Sequence, residues 1–418
     1  MDSFLIKGPT KLNGEVDISG SKNAALPIMT ACLAKPGIYR LKNVPNLRDT
    51  RTMIRLLKII GSKVSVNNSN ITIDTTNCDN PEAPYELVKT MRASFYVLGP
   101  LLSRFEYSKV SLPGGCAWGP RPIDYHLKAF ESLGAQVTLR SGYIVTKGKL
   151  KGNVIKFPKP SVGATGNVIM ACSNLVENVT VINAAKEPEI VDLCHFLEMT
   201  GVKFKGIGTD HLTIKGCNKT LSSTIDYSII PDRIEAGTFL IACAATGGSI
   251  TLNNVNHHHL IDTINKLKLS NVTINKINNK LELISNDNKR PVNLKTDVYP
   301  GFPTDLQAQW VAYMSTVSGD SKVEDTIYLD RFTHIPELNR LGADIKMDNN
   351  TALINGVNKL YGANIMSTDI RASASLIIAS MCAVGESHLS RIYHIDRGYE
   401  NIELKLRKLG ANIKRLNS

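Results

Sequence analysis

Six times along the chain a polar or charged start gives way to an apolar, helix-like stretch of about a dozen residues. The starts are Lys22-Asn23-Ala24-Ala25, Arg92-Ala93-Ser94, Ser161-Val162-Gly163-Ala164-Thr165, Arg233-Ile234-Glu235-Ala236-Gly237-Thr238, Asp305-Leu306-Gln307-Ala308 and Arg371-Ala372-Ser373-Ala374-Ser375. With Asn23, Arg92, Gly163, Arg233, Asp305 and Arg371 as markers, successive starts lie 69, 71, 70, 72 and 66 positions apart. Each unit continues alike: a short strand such as Ser249-Ile250-Thr251-Leu252 or Val179-Thr180-Val181-Ile182, a second, amphipathic helix, then one or two closing strands such as Gln136-Val137-Thr138-Leu139. The second helix runs out at a glycine suited to a left-handed cap, in Leu133-Gly134-Ala135, Leu341-Gly342-Ala343 and Leu409-Gly410-Ala411. The fourth unit has Ser270-Asn271 there, and asparagine also tolerates the left-handed conformation.

Six such units predict an α/β protein, and 418 residues suffice for two domains with separate cores. A division into three and three units falls near Ile229-Ile230-Pro231, where no Pro/Ser/Gly-rich linker occurs. The balance of 43% hydrophobic and 21% charged residues is that of a globular chain. No apolar run reaches the roughly 18 residues of a membrane span. Met1-Asp2-Ser3-Phe4 does not open a secretory signal, so a cytoplasmic location and no membrane insertion are expected. The cysteines, among them Cys172 and Cys243, sit mostly in apolar stretches without a CxxC pair and read as small buried hydrophobes, with no disulfide framework and no metal site.

The net charge of +12 changes the picture only in part. Nucleic-acid binding calls for basic runs interleaved with aromatics; there are none, and aromatic content is 6%. Small phosphorylated ligands fit better. Four of the repeated helices carry a cation at or near the first turn: Lys22, Arg92, Arg233 and Arg371. The helix dipole disfavours a cation there by roughly 0.3–1 kcal/mol. Repeated breaking of a local rule points to a site, and a helix start with added Lys or Arg suits phosphate or carboxylate. Ser161 to Thr165 offers hydroxyls and open backbone, whereas Asp305 is compatible with the dipole and reads equally as a helix cap or as a functional carboxylate.

The segment Leu112-Pro113-Gly114-Gly115-Cys116-Ala117-Trp118-Gly119-Pro120-Arg121-Pro122 cannot be regular helix or central strand. It reads as a loop presenting Cys116, with Arg121 favouring the thiolate. His257-His258-His259 reads as a polar helix start, since adjacent side chains diverge too far to share one metal. There is no GxGxxG and no Walker sequence, hence no motif for a dinucleotide or P-loop nucleotide.

Taken together, Gly20-Ser21-Lys22-Asn23-Ala24-Ala25-Leu26-Pro27, Met91-Arg92-Ala93-Ser94, Pro113-Gly114-Gly115-Cys116, Arg121-Pro122-Ile123-Asp124, Ser161 to Thr165, Pro300-Gly301-Phe302-Pro303-Thr304-Asp305 and Arg391-Ile392-Tyr393-His394-Ile395-Asp396-Arg397-Gly398-Tyr399 resemble the enolpyruvyl transferases over essentially the whole chain. The resemblance implies two inside-out α/β barrel domains, each of three repeated units, with a ligand cleft between domains. The first would span residues 22–229 and carry the Cys116 loop; the second would combine 1–21 with 230–418. It implies phosphoenolpyruvate and UDP-N-acetylglucosamine as substrates, no cofactor, and a monomer or weak oligomer. The Gly-Gly-Cys loop argues against the shikimate-phosphate branch of the same fold, and the intact Lys22, Cys116, Asp305 and Arg397 argue against a non-catalytic paralogue.

Roles implied by the resemblance follow residue by residue. Lys22, Asn23, Arg121 and Arg397 would hold phosphoenolpyruvate. Arg92, Arg121, Pro122, Ile123, Asp124, Tyr125, Lys159, Pro160, Ser161, Val162 and Gly163 would hold the UDP part. Ile327 would contact the sugar through its backbone, and Asp305 would take the proton of the 3′-hydroxyl. Cys116 would protonate the methylene carbon or add covalently to C2, giving a pyruvate phosphothioketal, and would be the target of fosfomycin. Arg331, Asp369 and Arg371 would complete the site. Tyr96, Trp118 and Pro160 depart from the family's usual Trp, smaller aliphatic and Val, which bears on loop packing more than on chemistry.

Overall fold

The computed structural model describes residues 2–112 and 123–417. Each of the six starts opens a helix. In chain order these inner helices are Lys22–Ala31, Leu98–Phe105, Val162–Ala171, Arg233–Thr246, Gln307–Met314 and Ile370–Cys382. Arg92 and Asp305 differ in detail, since each lies in a short 3-10 turn, Arg92–Val97 and Thr304–Leu306, that leads into its α-helix. The inner helices are largely buried, and Gln307–Met314 has every residue buried, its two glutamines included.

The strands form six four-stranded sheets with one shared plan. In every sheet an edge strand pairs in parallel with the first strand of a repeat, and two antiparallel pairings follow. The other three sheets repeat this plan. The second helices, such as Arg48–Ile59 and Asp124–Ser132, are amphipathic: the former buries Met53, Leu56 and Leu57 and turns charged residues outward.

The chain divides into two compact units, Gly20–Ile230 and Met1–Ser19 with Pro231–Ser418. Three sheets and three inner helices belong to each, with the helices inside, which is the inside-out α/β arrangement. Within Gly20–Ile230, the late strand Ile225–Ser228 runs parallel to Ile38–Lys42 and completes the first repeat's sheet. Within the other unit Leu12–Asp17 does the same work beside Gly248–Asn253, while Ser3–Gly8 is an inner strand, antiparallel to Gly385–Ser390 and Asn412–Leu416.

Small residues let the inner helices approach. A Cβ on Gly99 would lie 2.3 Å from the Asn167 carbonyl oxygen, and one on Gly237 would lie 2.4 Å from Leu306 Cδ1. Large side chains fill the remaining space: Trp310 is fully buried and meets Phe302 and Tyr313 edge-on at 5.5 Å each. Full burial of such a side chain contributes roughly 1.5–3 kcal/mol. Among the described residues no helix is long and apolar enough to cross a membrane. The described cysteines are free; five are buried, and Cys217 and Cys382 are half-buried.

Candidate active site

In the unit Gly20–Ile230, three of the proposed binding segments converge on one buried amide. Asn167 lies inside the Val162–Ala171 helix and is fully buried. Its Oδ1 accepts from the Gly99 N–H at 2.9 Å, and its Nδ2 donates to the Phe95 carbonyl at 3.1 Å and to His126 Nδ1 at 3.0 Å. An acceptor Nδ1 makes His126 a neutral imidazole with its proton on Nε2. Burial, aided by the nearby Arg92 charge, pushes His126 down to about 3. The ring lies edge-on to Phe95 at 5.0 Å, and a Cβ on Gly163 would come within 3.2 Å of Nε2 and Cε1. Gly163 is therefore the residue that leaves room for the imidazole.

Most residues expected for a nucleotide sugar lie on the segments that meet at this hub or beside them in sequence, and two expected for phosphoenolpyruvate lie in the same unit. Arg92 is half-buried at the start of its 3-10 turn. Ile123 precedes the helix that Asp124 opens, and Tyr125 stacks on Phe157 at 6.1 Å. Lys159 is exposed and Pro160 half-buried; Ser161 caps the next helix, its hydroxyl accepting from the Ala164 N–H at 3.3 Å, and Val162 and Gly163 are its first residues. Lys22 and Asn23 open the Lys22–Ala31 helix. Lys22 is buried with its Nζ 3.6 Å from Asp49 Oδ2, while Asn23 is half-buried. Cys116, Arg121 and Pro122 lie outside the described residues.

In the unit Met1–Ser19 with Pro231–Ser418, Asp305 is clamped between two guanidiniums. Arg331 Nη1 donates to Oδ1 at 2.8 Å and Arg371 Nη2 to Oδ2 at 2.9 Å. The cap positions of its 3-10 turn and of the helix that follows are Pro303 and Leu306, not Asp305. Arg371 is buried; burial alone would lower its affinity for the proton, but the Asp305 carboxylate and Tyr399 outweigh this and raise it. Asp369 caps the Arg371 helix, its Oδ1 accepting from the N–H groups of Arg371 at 2.7 Å and Ala372 at 3.2 Å. Behind the clamp lies a buried network. Tyr399 OH lies 2.8 Å from Thr238 Oγ1, and Gln309 Nε2 faces Thr238 Oγ1, the Asp305 carbonyl and Tyr399 OH at 3.1, 3.1 and 3.2 Å. Ile327 is half-buried, and its N–H donates to Asp325 Oδ1 at 2.9 Å. Arg397 ends the 3-10 turn Ile392–Arg397, whose Asp396 is held by Arg415 through two hydrogen bonds of 2.6 and 3.1 Å.

Several members of these networks escape sequence reading: His126 and Asn167 in one unit, Asp325 and Gln309 in the other; Thr304 and Tyr399 stand in segments that carry the resemblance, but with no role of their own. Asn167 leaves a trace, a polar residue inside an otherwise apolar helix. His257-His258-His259 forms a 3-10 turn capped by Asn256, whose Oδ1 accepts from the His258 N–H at 3.1 Å. Among the described residues no three His, Cys, Asp or Glu side chains gather to hold a metal ion.

The same fold occurs in solved enolpyruvyl transferases. NikO from Streptomyces tendae superposes with a TM-score of 0.91 at 22% identity, covering 100% of this chain and 99% of that one. The EPSP synthase of Acinetobacter baumannii does so at 0.76 and 17%, with both chains fully covered. The sequence profile of the EPSP synthase (3-phosphoshikimate 1-carboxyvinyltransferase) family matches residues 6–406, and the chain belongs to this family. Within it, the UDP-N-acetylglucosamine 1-carboxyvinyltransferase of Prosthecochloris aestuarii is 48% identical over 421 residues, covering 100% of this chain and 99% of that protein. The enzymes of the same name from Campylobacter hominis and Chloroherpeton thalassium are 46% and 49% identical; each comparison covers 99% of this chain, and 99% and 97% of those proteins.

Proposed function

We propose that this chain transfers the enolpyruvyl group of phosphoenolpyruvate to the 3′-hydroxyl of UDP-N-acetylglucosamine with release of phosphate, the first committed step of peptidoglycan synthesis, and that it does so in the cytoplasm. The observation that carries this reading is near-half identity, over the full length, to enzymes named for that reaction. The local chemistry agrees with it. Both substrates are anionic, and Lys22, Arg92, Lys159, Arg331, Arg371 and Arg397 supply cations on the segments assigned to them.

In this reading Lys22, Asn23, Arg121 and Arg397 hold phosphoenolpyruvate. The UDP part is held by Arg92, the 121–125 stretch and the segment from Lys159 to Gly163. Asp305 accepts the proton of the sugar hydroxyl as its oxygen bonds to C2, and Cys116 delivers a proton to the methylene carbon. Loss of a methyl proton then expels phosphate and leaves the enol ether. An Asp305 carboxylate held by two guanidiniums is a weak base, so proton removal has to accompany formation of the C–O bond. Covalent addition of Cys116 to C2 is the other role that the resemblance allows it.

Phosphate release from phosphoenolpyruvate, measured with UDP-N-acetylglucosamine and separately with 3-phosphoshikimate, tests the reading. Release is expected with the nucleotide sugar only and is expected to vanish in Cys116→Ala. Release with 3-phosphoshikimate alone would move the chain to the other branch of its family. Fosfomycin is expected to add its mass to the peptide containing Cys116.

A further inference from the structure

Four of the six repeats place an Asn or Asp immediately after their first strand: Asn43, Asn183, Asn254 and Asp325. The three asparagines have left-handed backbone, with φ of 57°, 59° and 57°. Each Nδ2 donates to a backbone carbonyl beside the parallel partner strand: Ile229 at 2.9 Å, Phe157 at 2.7 Å and Ile18 at 3.0 Å. A neutral amide is thus the structural solution at this place. The fifth repeat substitutes a carboxylate that is 0% exposed. Burying a charge is costly unless it is fully hydrogen-bonded. Asp325 is: Oδ1 accepts from the N–H groups of Ile327 and Tyr328 and from Thr296 Oγ1, all at 2.9 Å, and Oδ2 accepts from Thr304 Oγ1 at 2.6 Å.

Those bonds lead to the proposed chemistry by two short routes. Thr304 Oγ1, while donating to Asp325, accepts from Arg331 Nη1 at 3.1 Å, and the same Nη1 donates to Asp305 Oδ1 at 2.8 Å. The second route is the Ile327 N–H, which fixes the backbone assigned to the sugar. A hydroxyl has one proton, so donation to Asp325 turns the Thr304 lone pairs toward Arg331. One buried carboxylate therefore orients the guanidinium that holds the base and the backbone that holds the acceptor.

We propose that Asp325, acting through Thr304, is a positioning residue that sets the Arg331–Asp305 pair and the Ile327 backbone in one frame, so that the acceptor hydroxyl meets its base. The inference rests on the function proposed above. Its test compares Thr304→Val, which removes only the hydroxyl, with Thr304→Ser, which keeps it, in the full chain with both substrates. Thr304→Val is expected to lower kcat about tenfold, the scale of one hydrogen bond to a charged group, with KM for phosphoenolpyruvate within about twofold of the parent. Thr304→Ser is expected to retain at least about half the parent kcat, and both melting temperatures to stay within about 3 °C of the parent. Asp325→Asn, which places there the amide of three sister repeats, is expected to fold and to lose kcat as Thr304→Val does. Unchanged kcat in Thr304→Val, equal losses in both threonine variants, or a loss that tracks a lowered melting temperature overturns the proposal. A parent chain that releases no phosphate with either acceptor overturns the functional reading instead, so the two failures are distinct.

Discussion

Arg371 and Asp305 stand 66 positions apart, on successive repeats, and meet at 2.9 Å with side-chain exposures of 8% and 24%. A guanidinium so deeply buried needs a fixed counter-charge, and removing one partner of such a pair leaves the other desolvated and unmatched. Arg331 gives Asp305 a second partner, but Asp305 is the anion nearest to Arg371. Arg371→Met is therefore expected to cost about 2–3 kcal/mol, and less once Asp305 is already Asn. Urea denaturation of the two single variants and the double variant measures the coupling, expected at about 1–2 kcal/mol. Strictly additive effects would show that the pair is not energetically linked.

His126 makes a second expectation concrete. Its folded pKa, near 3, lies below the ordinary value of 6.5 because burial and then Arg92 disfavour the imidazolium. Below pH 6.5 the unfolded chain binds this proton and the folded chain does not, so stability falls as pH falls toward 3, by at most about 1.4 kcal/mol per unit. His334, pushed down to about 4 mainly by burial, acts in the same direction. Asp192 runs the other way: burial raises it to about 6, so its contribution is present below 3.8 and is lost as pH rises through 6. The His126 ring signals in an NMR titration are expected to stay at their neutral positions from pH 8 to 5, and His126→Gln to make the acid limb of the stability curve shallower. A ring titrating near 6.5 would contradict the hydrogen bond from Asn167.

The inner helices were legible in the sequence as apolar runs behind polar starts, because six such runs at near-equal spacing rarely arise except from a repeated unit. The cations at their starts were legible as exceptions to the dipole rule. The networks behind them were not. Asp325 and Thr304 look like any strand-end acid and loop hydroxyl until the sheet brings Thr296, Ile327 and Arg331 around them. The neutral state of His126 depends on Asn167, 41 positions away, and no local pattern carries that information. The 3-10 turns at Arg92 and Asp305 also escape a helical periodicity, which is the same through a short turn as through the helix it leads into.

Asn271 supplies a test of the repeat at its one irregular cap. The second helices of the other five repeats end at Gly61, Gly134, Gly201, Gly342 and Gly410, with φ between 91° and 106°. Asn271 takes their place with φ 65°. Its side chain compensates for the strain of a left-handed residue: Nδ2 donates to the Asn288 carbonyl at 2.9 Å. Glycine at this position relieves the backbone but forfeits that bond, two effects of similar size and opposite sign, so Asn271→Gly is expected to lie within about 0.5 kcal/mol of the parent. Alanine forfeits the bond and keeps the strain, so Asn271→Ala is expected to cost about 1–2 kcal/mol. Urea denaturation of the three chains orders them directly. An alanine variant as stable as the parent would mean that neither the bond nor the backbone conformation constrains this cap, and the asparagine would then be no substitute for the glycine of its sister repeats.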